Sequence, residues 1–67
     1  MREWLFNARE NASMTQEQVA YIAGIDRTHY VKIEKGMRRP SYEVATKIAS
    51  ILDIDWTLFF ENNENAS

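Results

Sequence analysis

The sequence predicts a compact all-α domain of five helices. Apolar residues recur at helical spacings along most of the 67-residue chain, and two glycines and one proline with that spacing favour helices over a sheet. Residues 15–40, TQEQVAYIAGIDRTHYVKIEKGMRRP, have the pattern of a helix, a tight turn, a second helix and a basic loop. A chain of this length forms one domain, which we place at residues 1–61, and we expect a polar, disordered tail over residues 62–67.

The first two helices follow from apolar spacing and from a capping pattern. The first is predicted over residues 2–11, and its core-facing positions are Trp4, Leu5, Ala8 and Ala12. Thr15 is the predicted N-cap of the second helix, and Gln18, three residues later, completes a capping box. The buried face of this helix is predicted at Val19, Ala20, Ile22 and Ala23. Gly24 ends it in the left-handed conformation.

The remaining helices start at polar caps. Asp26 is placed to cap a third helix over residues 27–35, in which Tyr30, Ile33 and Val31 are candidates to pack inward. Gly36 ends this helix, and Ser41 caps a fourth helix over residues 42–52. The fourth helix has an apolar stripe at Val44, Ala45, Ile48, Ala49 and Leu52. A last helical turn is predicted over residues 56–61, with Asp55 as its cap.

The charge of the chain is polarised. The formal net charge is −2, but residues 27–40 hold five basic residues and one acidic residue, a net charge of +4. Residues 1–26 sum to −2 and residues 41–67 to −4. Because nucleic-acid affinity depends on the local field at the contacting surface, the acidic total does not exclude a nucleic-acid binder. The alternative is a basic loop that is simply solvated.

With these elements in place, the chain resembles the Cro/repressor-type (XRE-like) helix-turn-helix regulators of bacteria and their phages. The resemblance runs from about Leu5 to Glu61, and its joint spacing is more specific than any single element. Its matching features are Arg9, Thr15-Gln16, Ala20, Gly24-Ile25, Ile33-Glu34-Lys35-Gly36, Arg38, Pro40-Ser41 and the ending DWTLFFE. Two positions depart from the family pattern. Tyr30 stands where the family more often has a branched aliphatic residue, and Met37 stands where it commonly has a polar one.

The resemblance implies a phage-repressor-like fold and roles for particular residues in binding double-stranded DNA. The third helix is the expected recognition helix, whose base-contacting candidates are Arg27, Thr28, Lys32 and His29, with Val31 flanking them. The expected phosphate contacts are Gln16, Lys35, Arg38 and Arg39. Arg9 and Glu34 match a structural ion pair between the first helix and the end of the third.

The aromatic C-terminal segment suggests a homodimer. Trp56, Leu58, Phe59 and Phe60 place four large apolar residues within five positions, which one helical turn cannot direct into a single core. We expect a two-fold interface that includes Ile54, Trp56, Phe59 and Phe60, which would set two recognition helices one DNA turn apart on a near-palindromic site. The alternative is that these residues close a small core.

Composition argues against several other classes of protein. The chain has no cysteine, one histidine and no apolar run of membrane-spanning length, so we expect no metal, no cofactor and no membrane association in a cytoplasmic protein. No nucleophile is suitably placed and a deep pocket does not fit this size, so an enzyme is not expected. The predicted function is a bacterial or phage transcription regulator that binds DNA as a homodimer, most simply a repressor, and the sequence does not separate a repressor from an activator. Its regulation would come from its concentration, from competition at operators or from a separate regulatory protein partner. The alternative is an antitoxin or adaptor-type protein-binding module on the same fold.

Overall fold

The computed structural model describes residues 1–61, which form four α-helices and one short 3₁₀ helix. The α-helices are Glu3–Asn11 (α1), Gln16–Ala23 (α2), Arg27–Glu34 (α3) and Tyr42–Leu52 (α4), and the 3₁₀ helix is Trp56–Phe60. The part of the chain that the structure describes contains no strand, which confirms the all-α prediction. The expected polar tail, residues 62–67, lies outside the described residues.

The expected fifth α-helix is a single 3₁₀ turn. Asp55 caps it through Oδ1, which accepts from the backbone N–H of Thr57 at 3.0 Å. The Leu58 N–H donates to the Asp55 carbonyl at 3.1 Å, a bond across three residues rather than four. Glu61 then adopts an extended backbone, with φ −73° and ψ 144°, so the turn cannot continue into an α-helix.

The predicted helix starts are confirmed in their hydrogen bonding. Thr15 and Gln18 form a reciprocal capping box, in which the Thr15 N–H donates to Gln18 Oε1 at 2.8 Å and Thr15 Oγ1 accepts from the Gln18 N–H at 3.0 Å. Asp26 Oδ1 accepts from the backbone N–H of His29 at 2.7 Å. These caps satisfy backbone donors that have no partner inside the helix.

Two glycines set the path of the chain on either side of α3. Gly24 has φ +78° and Gly36 has φ +80°, a left-handed backbone that residues with a Cβ rarely adopt. Gly24 turns the chain between α2 and α3, and Gly36 turns it into the α3–α4 loop. Gly24 therefore forms the turn of the helix-turn-helix, and Gly36 ends α3, as the sequence pattern predicts for both.

One hydrophobic core receives side chains from every element. Its buried members are Leu5, Val19, Ala20, Ala23, Tyr30, Ile33, Ala45, Ile48, Leu52 and Phe59, with Ala49 also buried. Trp4 lies edge-on to the Phe59 ring, with 4.9 Å between ring centroids. Phe59 thus attaches the 3₁₀ helix to α1.

Three predicted placements are wrong. Ala12 is exposed because α1 ends at Asn11 and Ala12 is already its C-cap. Ile22 is exposed because, at 100° per residue, it lies about 100° around α2 from the centre of the buried stripe. Phe59 is only 1% exposed within one chain, so it is a core residue and not a member of the predicted dimer interface.

Candidate nucleic-acid interface

The outer side of α3 presents a polar and basic surface. Arg27, Thr28, Lys32 and Lys35 are exposed, and His29 is half-buried at the edge of the same surface. Two shallow grooves flank the Thr28–Lys32 pair: Val31 and Met37 help to line one, and His29 and Arg38 help to line the other. The residues expected to contact bases therefore lie together on an open surface.

The opposite side of α3 is fixed in the core. Tyr30, Ile33 and Glu34 are its buried residues. Because Tyr30 and Ile33 are fully enclosed, α3 cannot rotate about its axis without opening the core. The orientation of the outer surface is thus set by packing on the inner one.

Glu34 is a buried carboxylate with a full set of donors. It is 2% exposed, and Arg9 binds it through two nitrogens, with Nε 2.8 Å from Oε2 and Nη2 3.2 Å from Oε1. Gln16 Nε2 donates to Oε1 at 3.0 Å, and the Tyr30 hydroxyl donates to Oε2 at 3.0 Å. We call these four residues the Glu34 cluster; it joins α1, the first turn of α2 and the core side of α3.

The Glu34 cluster shifts the ionisation of its members. Burial acts to raise the pKa of Glu34, but hydrogen bonds from Arg9, Gln16 and Tyr30 outweigh it and hold that pKa below its ordinary value. The hydrogen bond to Glu34 raises the pKa of the Arg9 guanidinium. Burial and the adjacent Glu34 charge raise the pKa of the Tyr30 hydroxyl. Arg9 and Glu34 are therefore a charged pair at neutral pH, and Tyr30 is a neutral donor.

Gln16, an expected phosphate contact, belongs to this cluster. Its side-chain amide donates to Glu34, and the residue is half-buried at the first position of α2. An amide nitrogen has two N–H groups, so the bond to Glu34 orients Gln16 and leaves a second donor for another acceptor. The structure thus ties a helix-start residue of α2 to the end of α3.

The α3–α4 loop gathers the other expected phosphate contacts. Lys35, Arg38 and Arg39 are all exposed, and they line a polar depression together with Arg2. Arg38 also lines the groove beside Thr28 and Lys32. The basic loop and the outer side of α3 therefore form one continuous surface.

Two features of this region were not predicted from the sequence. The Tyr30 hydroxyl bonds to Glu34 four residues later, a helical spacing that could have suggested the contact. Arg2 is buried and bonds to backbone carbonyls at the end of α3 and in the loop. No local pattern distinguishes Arg2 from a solvated residue at a helix start.

A second surface carries the remaining aromatic residues. Tyr42 and Trp56 contact edge to face with centroids 5.0 Å apart, and Trp56 and Phe60 do so at 6.0 Å. Tyr42 is 64% exposed and Trp56 37% exposed, whereas Phe60 and Ile54 are half-buried. We call Tyr42, Trp56 and Phe60 the aromatic cluster.

The described residues offer neither a metal site nor a membrane helix. Within residues 1–61, no group of three or more His, Cys, Asp or Glu side chains could hold a metal ion. None of the helices in that range is both long and apolar enough to cross a bilayer.

Comparisons with known proteins agree on one family. A family model described as helix-turn-helix matches residues 5–59. The uncharacterized HTH-type transcriptional regulator YqaF of Bacillus subtilis (strain 168) is 48% identical over 62 residues, which cover 92% of this chain and 82% of that protein. The uncharacterized HTH-type transcriptional regulator YqaE of the same organism is 38% identical over 64 residues, covering 92% of this chain but 55% of that protein. No solved structure matches the chain significantly.

Proposed function

Because the chain belongs to the XRE-type helix-turn-helix family of DNA-binding transcription regulators, we propose that it reads a specific duplex sequence with α3 in the major groove. The observation that carries the proposal is the exposed outer side of α3, where Arg27, Thr28 and Lys32 stand on a helix whose inner side is locked by the Glu34 cluster. A helix that recognises bases needs both an exposed polar surface and a fixed orientation, since base discrimination requires donors held at fixed positions.

The base-reading roles follow from side-chain chemistry. Arg27 and Lys32 donate to guanine O6 and N7, and Thr28 hydrogen-bonds a base edge or contacts a thymine methyl. His29 lies at the edge of this surface and takes a flanking base.

The positioning roles belong to residues around α3. Lys35, Arg38 and Arg39 contact phosphates on one side of α3, and Gln16 contacts a phosphate from the start of α2, where free backbone N–H groups favour an anion. These contacts set register and affinity without reading sequence.

The active form that we propose is a homodimer. Exposed Tyr42 and Trp56, next to half-buried Phe60 and Ile54, form an apolar surface that a second copy would cover. The interface would comprise Ile54, Trp56 and Phe60, with Tyr42 beside them, while Phe59 stays in the core of each chain. Such a dimer would bind a near-palindromic operator in the cytoplasm and repress transcription by excluding RNA polymerase.

Selection from a random duplex pool tests the proposal. We expect the wild-type protein to enrich a near-palindromic consensus, and Arg27→Ala and Lys32→Ala each to lose preference at particular positions while leaving the others readable. Lys47→Ala is the matched control, because Lys47 is an exposed lysine on α4 paired with Glu43 at 3.4 Å. Enrichment of no sequence, together with tight binding of a protein partner, would favour the protein-binding module instead.

A further inference from the structure

Arg2 is a buried cation that binds the carboxyl end of α3. It is 7% exposed, and its guanidinium Nη1 donates to the Ile33 carbonyl in the last turn of α3. The same nitrogen donates to the Arg38 carbonyl in the α3–α4 loop at 3.1 Å. The backbone N–H of Arg2 donates to the Glu34 carbonyl at 2.8 Å. One residue thus holds three carbonyls on both sides of the point where α3 ends.

The chemistry of this contact suits an arginine. The last carbonyls of a helix lack partners within the helix, and a cation is favourable beside them. One terminal guanidinium nitrogen carries two N–H groups, so Arg2 can bridge the Ile33 and Arg38 carbonyls through that single atom. The bridge joins residues 33 and 38 and so fixes the path of the chain through Gly36, whose φ is +80°.

The chain segment held by this bridge is the basic loop. Arg38 is bound to Arg2 through its backbone, while its exposed side chain lines both the groove beside Thr28 and the depression beside Arg39. The position of the loop cations relative to α3 is therefore set by a residue that does not itself lie on the outer surface of α3.

Arg2 also contacts the C-terminal part of the core. Its guanidinium carbon lies over the Phe59 ring, 5.9 Å from the centroid. Phe59 is buried in the 3₁₀ helix that also carries Trp56 and Phe60. Arg2 thus lies between the loop proposed to contact phosphates and the segment proposed to form the dimer.

We propose that Arg2 is a positioning residue for DNA binding: it holds the α3–α4 loop so that Arg38 and Arg39 meet the phosphates that flank the site read by α3. This inference rests on the proposed DNA-binding function. It assigns Arg2 no contact with DNA, and its effect on binding passes through the loop.

The test compares Arg2→Met with Leu52→Ala, a variant that lowers stability by removing buried apolar area in the core. Methionine keeps an unbranched side chain and the backbone bond to the Glu34 carbonyl but removes every side-chain donor, and Leu52→Ala loosens α4 without removing a bond to the loop. Both proteins are measured on the duplex selected by wild type, at a temperature where circular dichroism shows each to be folded. We expect Arg2→Met to weaken binding by at least about tenfold and to flatten the salt dependence by about 0.9 for each phosphate that the loop no longer neutralises. Leu52→Ala should change neither quantity.

A double-mutant cycle identifies the route of the effect. If Arg2 acts by placing Arg38 and Arg39, its substitution has nothing left to misplace once both loop arginines are alanine. In that background Arg2→Met should weaken DNA binding less than about twofold, and the difference from its effect in wild type measures the coupling between Arg2 and the loop arginines. If Arg2→Met does not fold, Arg2→Lys is measured in its place for duplex affinity and salt dependence. We expect Arg2→Lys to weaken binding and to flatten the salt dependence, each by less than Arg2→Met would.

The outcomes separate this inference from the proposed function. Wild-type binding of a selected duplex, with affinity and salt slope unchanged in folded Arg2→Met, would overturn the role of Arg2 alone. The role of Arg2 would also be overturned if Arg2→Met weakened DNA binding as much in the Arg38→Ala, Arg39→Ala protein as it does in wild type. A wild-type protein that selects no duplex would overturn both the proposed function and this inference.

Discussion

At the scale of single residues, Glu34 is the group that ties α3 to α1 and α2. Its carboxylate is almost fully buried, and three side chains from α1, α2 and α3 donate to it. A buried charge is tolerated when it is paired and hydrogen-bonded, and losing one partner is costly. The stability of this small domain should therefore respond sharply to changes in the Glu34 cluster.

The first prediction concerns pH. The pKa of Glu34 is lowered in the folded protein, so its contribution to stability is fully present above the ordinary carboxyl pKa of 4.5 and is lost as pH falls through the lower folded value. Glu34→Gln should remove this part of the acid sensitivity and reduce the free energy of unfolding by about 3–5 kcal/mol at neutral pH. Urea unfolding of wild type and Glu34→Gln at a series of pH values measures both the free energy of unfolding and its dependence on pH. An equally steep loss of stability below the ordinary carboxyl pKa in both proteins would contradict the assignment.

The second prediction isolates the Tyr30 hydroxyl. Tyr30→Phe keeps the buried ring but leaves Glu34 Oε2 without one donor at 3.0 Å, and a hydrogen bond to a charged group contributes about 1.5–3 kcal/mol. For a domain of this size that loss lowers the melting temperature by about 4–8 °C per kcal/mol. The control is Tyr42→Phe, because that tyrosine is largely exposed and its ring contact with Trp56 is kept. Equal melting temperatures for Tyr30→Phe and wild type would show that the hydroxyl bond does not stabilise the fold.

At the scale of elements, the helices were predictable because their ends carry local signals. Thr15, Asp26 and Ser41 cap as their residue types and spacings indicate, and Gly24 and Gly36 turn the chain where expected. The family could also be identified from the spacing of these elements, and the match over residues 5–59 confirms it.

The 3₁₀ helix and the placement of its aromatic residues were less predictable. Periodicity cannot distinguish one turn of 3₁₀ helix from one turn of α-helix, since the two differ only in which carbonyl each N–H selects. Whether Phe59 or Phe60 enters the core depends on the space left beside Trp4, which is a property of the packed molecule. The role of Arg2 was not predictable for a similar reason, because its partners lie more than thirty positions away.

The third prediction concerns the start of α3. Asp26→Ala removes the bond to the His29 N–H and should reduce the free energy of unfolding by about 0.5–2 kcal/mol. Because Arg27 and Thr28 occupy the first turn of α3, the same change should also increase hydrogen exchange there and weaken binding to the selected duplex. Ser41→Ala, which removes the equivalent cap of α4, is the matched control for stability. Equal loss of DNA affinity in the two variants would contradict a specific role for the first turn of α3.

At the scale of the whole molecule, charge and apolar surface are separated. The basic residues cluster in α3 and the following loop, whereas the segments on either side are net acidic. An acidic remainder repels phosphates from every other surface, so a duplex is directed to one side of the domain. The aromatic cluster, where the first residue of α4 contacts the 3₁₀ helix, lies outside this basic region and is the surface proposed to bind a second chain.

The fourth prediction addresses assembly. Trp56→Ala and Phe60→Ala should each shift the molecule toward monomer, because they remove apolar area at exposed Trp56 and half-buried Phe60 that is proposed to be buried between two chains. Light scattering across a concentration series, coupled to size-exclusion chromatography, measures the change. Tyr21→Ala is the control, since Tyr21 is more exposed than either residue but lies on α2. A wild-type protein that stays monomeric at the highest concentration, both free and on DNA, would exclude the dimer.

The central claim, that α3 reads base sequence, is tested most directly by pairing protein and DNA substitutions. The dissociation constants of wild type, Arg27→Ala and Lys32→Ala are measured on the selected duplex and on variants with one base pair changed. If α3 reads bases, each alanine variant should lose about 1–3 kcal/mol on the selected duplex and little or nothing further when its own base pair is changed. Uniform weakening across all duplexes would contradict the claim, because it would mean that Arg27 and Lys32 contact only phosphates.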